Sequence, residues 1–291
     1  MIDFFLIAAL WGGSFLFMRQ AVPEFGPIAL IAVRVLIASL FLLPFVLVQR
    51  GTADLRGNLR KIFFLGVFNY ALPFCLLAYT TRHVTAGFAS IINSTAPLFT
   101  ALVGWVWLKN KLTPVQLIGI ILGFGGVLIL SWGNISFKPE GGALAVVAGL
   151  AATFCYGIAT IYTKEKLQGI PPLPLTAWGL ASAAVLLAPL LFFVYPATTP
   201  SPGAWHAVVM LGLLSTSLAF ILFFRLLARW GATRAIAVGF LIPVFGVLWG
   251  RIFLGEPITL QMLLGGAVIL LGTALTLEFL GILKSSSTKQ L

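Results

Sequence analysis

Acid is scarce in this sequence. It holds seven carboxylates, Asp3, Glu24, Asp54, Glu140, Glu165, Glu256 and Glu278, and two histidines, His83 and His206. None lies at the middle of an apolar run. A nucleophile, base or metal set needs such groups clustered, so an enzyme embedded in the apolar body has no visible parts. Cysteine is nearly absent as well. Cys75 and Cys155 each sit inside an apolar run, which excludes a disulfide framework and a metal-ligand spacing. Both read as small core residues, and no metal or other cofactor is expected. Charge of either sign makes up only 9% of the chain, against roughly 25% in a soluble domain. That excludes a soluble fold.

What is abundant is apolar surface, at 60% of residues. The chain is therefore an integral membrane protein in contact with a lipid bilayer. Barrel strands alternate apolar and polar residues, and unbroken runs such as 117–130 do not. Helices satisfy their own backbone in lipid and accommodate such runs. The formal charge of +11 could suggest nucleic acid. Basic loops flanking membrane spans account for it more simply, so no nucleic-acid partner is expected.

The expected fold class is all-α, with ten membrane-spanning helices. They cover 3–18, 27–48, 61–80, 85–108 and 114–132. After a Gly/Pro linker at 133–142, the sixth runs to 162, followed by 173–195, 205–227, 232–254 and 259–283. The first run lacks a basic leader and a small-residue cleavage site, and reads as a retained span. With the N-terminus inside, the inner loops carry Arg50, Arg56, Arg60, Lys61, Lys109, Lys111, Lys164, Lys166, Arg225, Arg229, Arg234, Lys284 and Lys289. The outer loops carry only Arg19, Arg82, Lys138 and Arg251. That asymmetry places both termini in the cytoplasm, in a bacterial inner (plasma) membrane.

The chain is also duplicated. Shifted by 146 residues, Ala86, Ala89, Pro97, Phe99, Gly104, Leu108, Thr113 and Gly119 fall on Ala232, Ala235, Pro243, Phe245, Gly250, Leu254, Thr259 and Gly265. Shifted by 145, Trp11-Gly12 falls on Tyr156-Gly157 and Pro44 on Pro189. Residues 1–135 and 136–291 are thus two five-helix repeats. An odd number of spans per copy forces the copies to lie inverted in the membrane. Inverted repeats build alternating-access carriers, with the site near the midplane between the halves. Both halves are present in one chain, so a monomer is expected.

Several motifs resemble one family. Ala9-Leu10-Trp11-Gly12, Arg34, Ala96-Pro97-Leu98 and Leu254-Gly255-Glu256-Pro257-Ile258-Thr259 look like the drug/metabolite transporter superfamily, in its EamA type of repeat. Within it the chain looks most like the amino-acid exporters of the YddG kind. The first half departs from the pattern, with Lys109-Asn110 where the Gly-Glu pair stands in the second. That loop reads as structural, so the departure is expected to cost little. The resemblance implies export or exchange of small metabolites. Other metabolites or drugs are the alternative cargo.

Proline in a helix removes one N–H and frees the carbonyl four residues earlier. Pro97 would free that of Asn93, Pro243 that of Gly239, and Pro73 that of Asn69. Such acceptors at mid-depth suit a substrate ammonium, or else are kinks satisfied by a neighbouring helix. Asn69 and Tyr70 correspond to Ser215 and Thr216 across the repeat, which puts polar groups at one depth in both halves. The hydroxyls could instead bond their own i−4 carbonyls. Trp11 and Tyr156 are repeat equivalents near mid-span, and Ser14 and Thr160 lie about one turn beyond them. Tyr79 reads either as a belt residue at the membrane edge or as part of the site. The substrate candidates are therefore Trp11, Ser14, Asn69, Tyr70, Tyr79, Asn93, Tyr156, Thr160, Ser215 and Thr216. Pro73, Pro97, Gly104, Pro243 and Gly250 are the candidate hinges.

Arg34 is the one charge well inside a span. It could serve a site, but a structural anchor that snorkels or holds helix-end carbonyls is the favoured reading. Gly119, Gly123 and Gly126, with Gly265, Gly266 and Gly272, make close-packing stripes, for intramolecular contact or for a dimer. Without a buried acid there is no proton relay. A facilitator driven by the substrate gradient is expected. A cationic drug would want a buried carboxylate, and a nucleotide sugar several buried cations. A neutral or zwitterionic solute fits, foremost a neutral or aromatic amino acid. A passive channel would need a continuous polar lining, whereas the polar residues cluster centrally.

Overall fold

The computed structural model describes residues 1–48, 57–132 and 142–278. Most of the linker 133–142, the repeat boundary at 135/136, and the expected helix end at 283 lie outside the described residues. So do Arg50, Asp54, Arg56, Lys138, Glu140, Lys284 and Lys289.

Ten apolar helices make up the described chain. The first repeat holds α1 Ile2–Phe25, α2 Pro27–Leu47, α3 Leu59–His83, α4 Ala86–Leu108 and α5 Pro114–Ser131. The second holds α6 Gly142–Lys166, α7 Pro172–Val194, α8 Pro202–Ala232, α9 Arg234–Leu254 and α10 Leu260–Thr276. Among the described residues the first nine have the length and hydropathy of a bilayer span, and α10, of 17 residues, is a shorter apolar helix. α1 outruns its expected end at 18 because Ala21, Val22 and Phe25 are buried in the core. Gly26, at φ 72°, then turns the chain into α2.

Local chemistry sets the helix starts. The side chains of Thr85, Thr113, Ser201 and Thr259 each accept a backbone N–H of the first turn. Prolines stand at the first helical position of α2, α5, α7 and α8, where a missing N–H is harmless. α4 and α9 end alike. Lys109 (φ 55°) and its repeat equivalent Gly255 (φ 66°) both adopt the left-handed conformation that closes a helix.

Packing follows the duplication. α1 lies on α8 and α9, and α6 lies on α3 and α4. α3 packs on α7 as α8 packs on α2, while α5 pairs with α10. Glycine makes the equivalent contacts possible. A Cβ on Gly12 would come within 2.6 Å of Phe245 Cβ, and one on Gly157 within 2.9 Å of the Phe99 carbonyl carbon. Phe99 and Phe245 are themselves repeat equivalents. The α5 and α10 stripes face each other, with a Cβ on Gly119 reaching 2.6 Å from the Gly272 carbonyl oxygen. These glycines join α5 to α10 within one chain.

Long-range contacts define two ends of the bundle. Asp3–Arg225 (3.1 Å) and Thr113–Glu278 (2.8 Å) lie at the N-terminal end. Arg19, Thr81, Ala86 and Glu256 meet at the opposite end, where Glu24 also meets Ser201.

Candidate functional site

A cavity of about 250 Å³ opens between the repeats, midway along the helices. α1 contributes Trp11, Ser14, Phe15 and Met18, and α2 contributes Arg34. Asn69, Tyr70, Phe74 and Leu77 come from α3, Asn93 from α4 and Tyr156 from α6. α8 supplies Ser215 and Phe220, and α9 supplies Ile242. The volume is below the roughly 300 Å³ at which drug-sized pockets begin, so a small solute fits.

Seven of the ten expected substrate residues line this cavity: Trp11, Ser14, Asn69, Tyr70, Asn93, Tyr156 and Ser215. The other three do not. Tyr79 packs its ring on His83, 4.4 Å between centroids, at the far end of α3. Thr160 is exposed and bonds back to the Tyr156 carbonyl at 2.8 Å. Thr216 sits behind the wall, fully buried. Phe15, Met18, Phe74, Leu77, Phe220 and Ile242 also line the cavity, outside the residues expected from the sequence. Spacing could have found most of them, since Phe15 and Met18 continue the Trp11 face by about one and two turns.

Two polar segments owe their position to wide turns. Gly66–Ala71 in α3 and Leu213–Leu218 in α8 are π-helical, at equivalent places in the two repeats. Such turns recur at functional sites. Each follows a glycine contact. A Cβ on Gly66 would meet Ser182 Cβ at 2.7 Å, and one on Gly212 would meet Ile37 Cγ2 at 2.8 Å. The wide turn precedes Pro73, so this proline stands early in a fresh helical segment, Leu72–His83. The hydroxyls of Thr216 and Ser217 bond the i−5 carbonyls of Leu211 and Gly212, not the expected i−4 ones. Ser215, 1% exposed, has no protein partner for its hydroxyl.

The expected kinks also differ. Pro97 does not bend one helix; α4 breaks there into Ala86–Asn93 and Ala96–Leu108. Ser94 N and Thr95 N donate back to the Ile91 and Ile92 carbonyls at 3.0 Å, and Thr273 Oγ1 donates to the Ser94 carbonyl at 3.0 Å. Beside this break, Asn93 Oδ1 is buried without a protein partner. Pro243 lies inside an unbroken helical segment, Val238–Leu254, because the turn falls earlier, at Ala237. Gly104 and Gly250 are also inside unbroken segments. Gly104 touches Ile161, and Gly250 lies beneath the Glu256 carboxylate.

Arg34 neither snorkels nor holds helix-end carbonyls. It is 4% exposed, donates from Nε to Thr216 Oγ1 at 3.0 Å and stacks 3.7 Å above the Phe74 ring. Nη1 reaches only Met18 Sδ, at 3.9 Å. No carboxylate pairs with it among the described residues. An isolated buried ion costs several kcal/mol, and a desolvated cation–π contact returns about 2 kcal/mol. The protein therefore compensates this charge only in part.

The ends of the cavity are unlike. At the opposite end, the Glu256 carboxylate accepts the Ala86 N–H, at 3.0 and 2.9 Å to its two oxygens, and lies 3.6 Å from Arg19 Nε. Arg19 Nη1 donates to the Thr81 and Arg82 carbonyls, both at 2.8 Å. One carboxylate thus sits at the start of α4 and one guanidinium at the end of α3, where the helix dipoles favour them. Asn110 stands at the equivalent of Glu256, so the Lys109-Asn110 departure leaves the N-terminal end without such a carboxylate. From the opposite end Ala86–Asn93 packs along α9, whereas Ala96–Leu108, towards the N-terminal end, leaves α9 and lies on α6. A second cavity, of about 170 Å³, shares Asn93 and Ile242 with the first. It runs past Gly239 and Thr273 to Ile236 and Leu277 at the N-terminal end.

Comparison with known proteins agrees with this architecture. Residues 1–132 and 143–278 match the EamA-like transporter family. An uncharacterized transporter of Archaeoglobus fulgidus is 30% identical over 274 residues, covering 92% of this chain and 94% of that one. A chain of Streptantibioticus cattleyicolor named "Probable terminal-alkyne amino-acid exporter" is 26% identical, covering 93% of this chain and 90% of that one. A solved crystal structure superposes with a TM-score of 0.65 at 19% identity, over 94% of each chain. At that identity the likeness speaks for the fold alone.

Proposed function

The chain belongs to the EamA-like transporter family, and on that premise we propose that it exports small neutral or zwitterionic solutes, foremost neutral and aromatic amino acids, by alternating access. The observation that carries this reading is the central cavity. It lies between the repeats, is walled by Trp11, Phe15, Tyr70, Phe74, Tyr156 and Phe220, and adjoins a second cavity that extends towards the N-terminal end. The rings suit an apolar or aromatic side chain. The few polar groups, Asn69, Asn93 and Ser215, suit the polar end of an amino acid. Similarity to a chain named as an amino-acid exporter supports the same class.

The surplus of basic residues on the N-terminal-end loops supports cytoplasmic termini. The second cavity then leads to the cytoplasm, and the Arg19–Glu256 cluster closes the outer side. Loading from the cytoplasm is what an exporter requires. We assign no enzymatic step to the chain. No carboxylate or histidine lines the cavity, which supports a facilitator driven by the substrate gradient.

The test is counterflow of labelled phenylalanine in proteoliposomes, competed with other amino acids, sugars and cationic drugs. Neutral amino acids compete, and sugars and drugs do not. Competition by sugars or drugs alone overturns the assignment. An imposed pH gradient leaves net flux unchanged; accumulation driven by that gradient overturns the facilitator mechanism.

A further inference from the structure

We propose that Arg34 is the carboxylate-binding residue of the central cavity, and that the transported solute must carry a single carboxylate. This deepens the transport reading and rests on it. The geometry supplies three independent observations. Arg34 lines the cavity while being almost fully buried. Its protein contacts leave the guanidinium fork incomplete. Nε is used by Thr216 and Nη1 has only a thioether, while Nη2 has no protein acceptor among the described residues. No acidic side chain neutralises it there.

The remaining unpartnered groups fit the rest of such a solute. Among the described residues Asn93 Oδ1 is a pure acceptor without a donor, and Ser215 Oγ is a buried hydroxyl without a partner. Both belong to residues lining the same cavity. An ammonium donates to such oxygens, while a carboxylate accepts from the guanidinium fork. Charge counting selects between anions. One guanidinium balances one carboxylate, whereas a phosphate dianion would leave a buried negative charge with no second cation. The Phe74 ring and Thr216 hold the guanidinium plane in place, so binding needs little reordering of the side chain.

Arg34 has no charged counterpart in the second repeat, where the equivalent residue is Gly179. The solute is therefore held in one orientation, carboxylate towards α2.

The test uses the purified full-length chain in detergent, with ligand affinity read by calorimetry. The probes are phenylalanine, 3-phenylpropionate, phenylalaninamide, phenethylamine, pyruvate and phenyl phosphate. In the wild-type chain, phenylalaninamide and phenethylamine bind roughly 10- to 100-fold more weakly than phenylalanine, the worth of a charge-assisted hydrogen-bonded contact. Arg34→Gln removes that discrimination and Arg34→Lys retains part of it. Asn93→Ala weakens phenylalanine while leaving 3-phenylpropionate unchanged. The wild-type comparison does not depend on any variant folding. Amine or amide binding within twofold of phenylalanine overturns the carboxylate site, as does tighter binding of phenyl phosphate than of 3-phenylpropionate. If pyruvate binds through Arg34 and phenylalanine does not, the amino-acid assignment falls and the carboxylate site stands.

Discussion

Thr216 accepts the Arg34 Nε hydrogen bond at the place where, in the symmetry-related pair, Tyr70 stands against Gly179. Thr216 is the repeat equivalent of Tyr70, and Arg34 that of Gly179. Each pair joins the two repeats: in one a large side chain from α2 meets a small one from α8, and in the other a large side chain from α3 meets a glycine of α7, where a Cβ on Gly179 would lie 2.7 Å from the Tyr70 ring. The fold conserves the volume of the pair while the chemistry becomes one-sided.

Thr216→Val keeps the shape and removes the acceptor. Arg34 then loses its one oxygen partner, at a cost of about 1.5–3 kcal/mol. Unfolding of the detergent-solubilised protein reads the loss, and Thr216→Ser restores most of it. Equal stability of the Val and wild-type chains refutes a structural contribution from this bond.

Gly12→Ala and Gly157→Ala force a methyl group into equivalent helix contacts. Each destabilises the protein by about 1–3 kcal/mol, as overpacking does. Gly125→Ala is the control. A Cβ there meets nothing within 4 Å, so that variant is neutral or gains up to about 1 kcal/mol. Chemical unfolding of the three variants ranks them.

Glu256→Gln loosens the end that Arg19 and Ala86 share with it. A charge at a helix N-terminus is worth up to about 2 kcal/mol, and a partly exposed ion pair less than about 1 kcal/mol. The equilibrium therefore shifts several-fold towards a state open at that end. A cysteine placed at Val84, with Cys75 and Cys155 replaced by Ala, reports it through its rate of maleimide labelling. An unchanged rate removes the cluster from the account of closure.

Asn93→Ala lowers transport at least about tenfold, by removing an acceptor the solute uses. It does not lower stability, because the deleted oxygen has no protein partner to lose. A fall in the unfolding midpoint, with transport retained, would make Asn93 a structural residue.

Much of the fold is legible in the sequence because lipid imposes simple rules. Apolar length reveals the spans, and matched pairs such as Pro97 and Pro243 reveal the duplication. The wide turns at Gly66–Ala71 and Leu213–Leu218 are not legible. They accompany the close approach of α3 to α7 and of α8 to α2, and no local propensity encodes that. Tyr70 and Ser215 fall on the cavity and Thr216 behind it because each turn re-aims its neighbours. The place of Arg34 on the cavity is not legible for a related reason. Depth along a helix can be counted, but whether the side chain meets lipid or a cavity depends on which neighbour covers that face. Glu256 reaches the Ala86 N–H across 170 residues of chain, and no motif spacing announces such a partner.

The glycine seam between α5 and α10 has a mechanical meaning. The two helices are exchanged by the internal twofold, and they touch, so the axis passes between them. A contact that straddles its own symmetry axis looks the same when the halves trade conformations. Gly119 against Gly272 and its counterpart Gly126 against Gly265 are such a pair, so under the alternating-access cycle proposed above the seam would act as the fulcrum of a see-saw, with the stiffness of two backbones that have nothing between them.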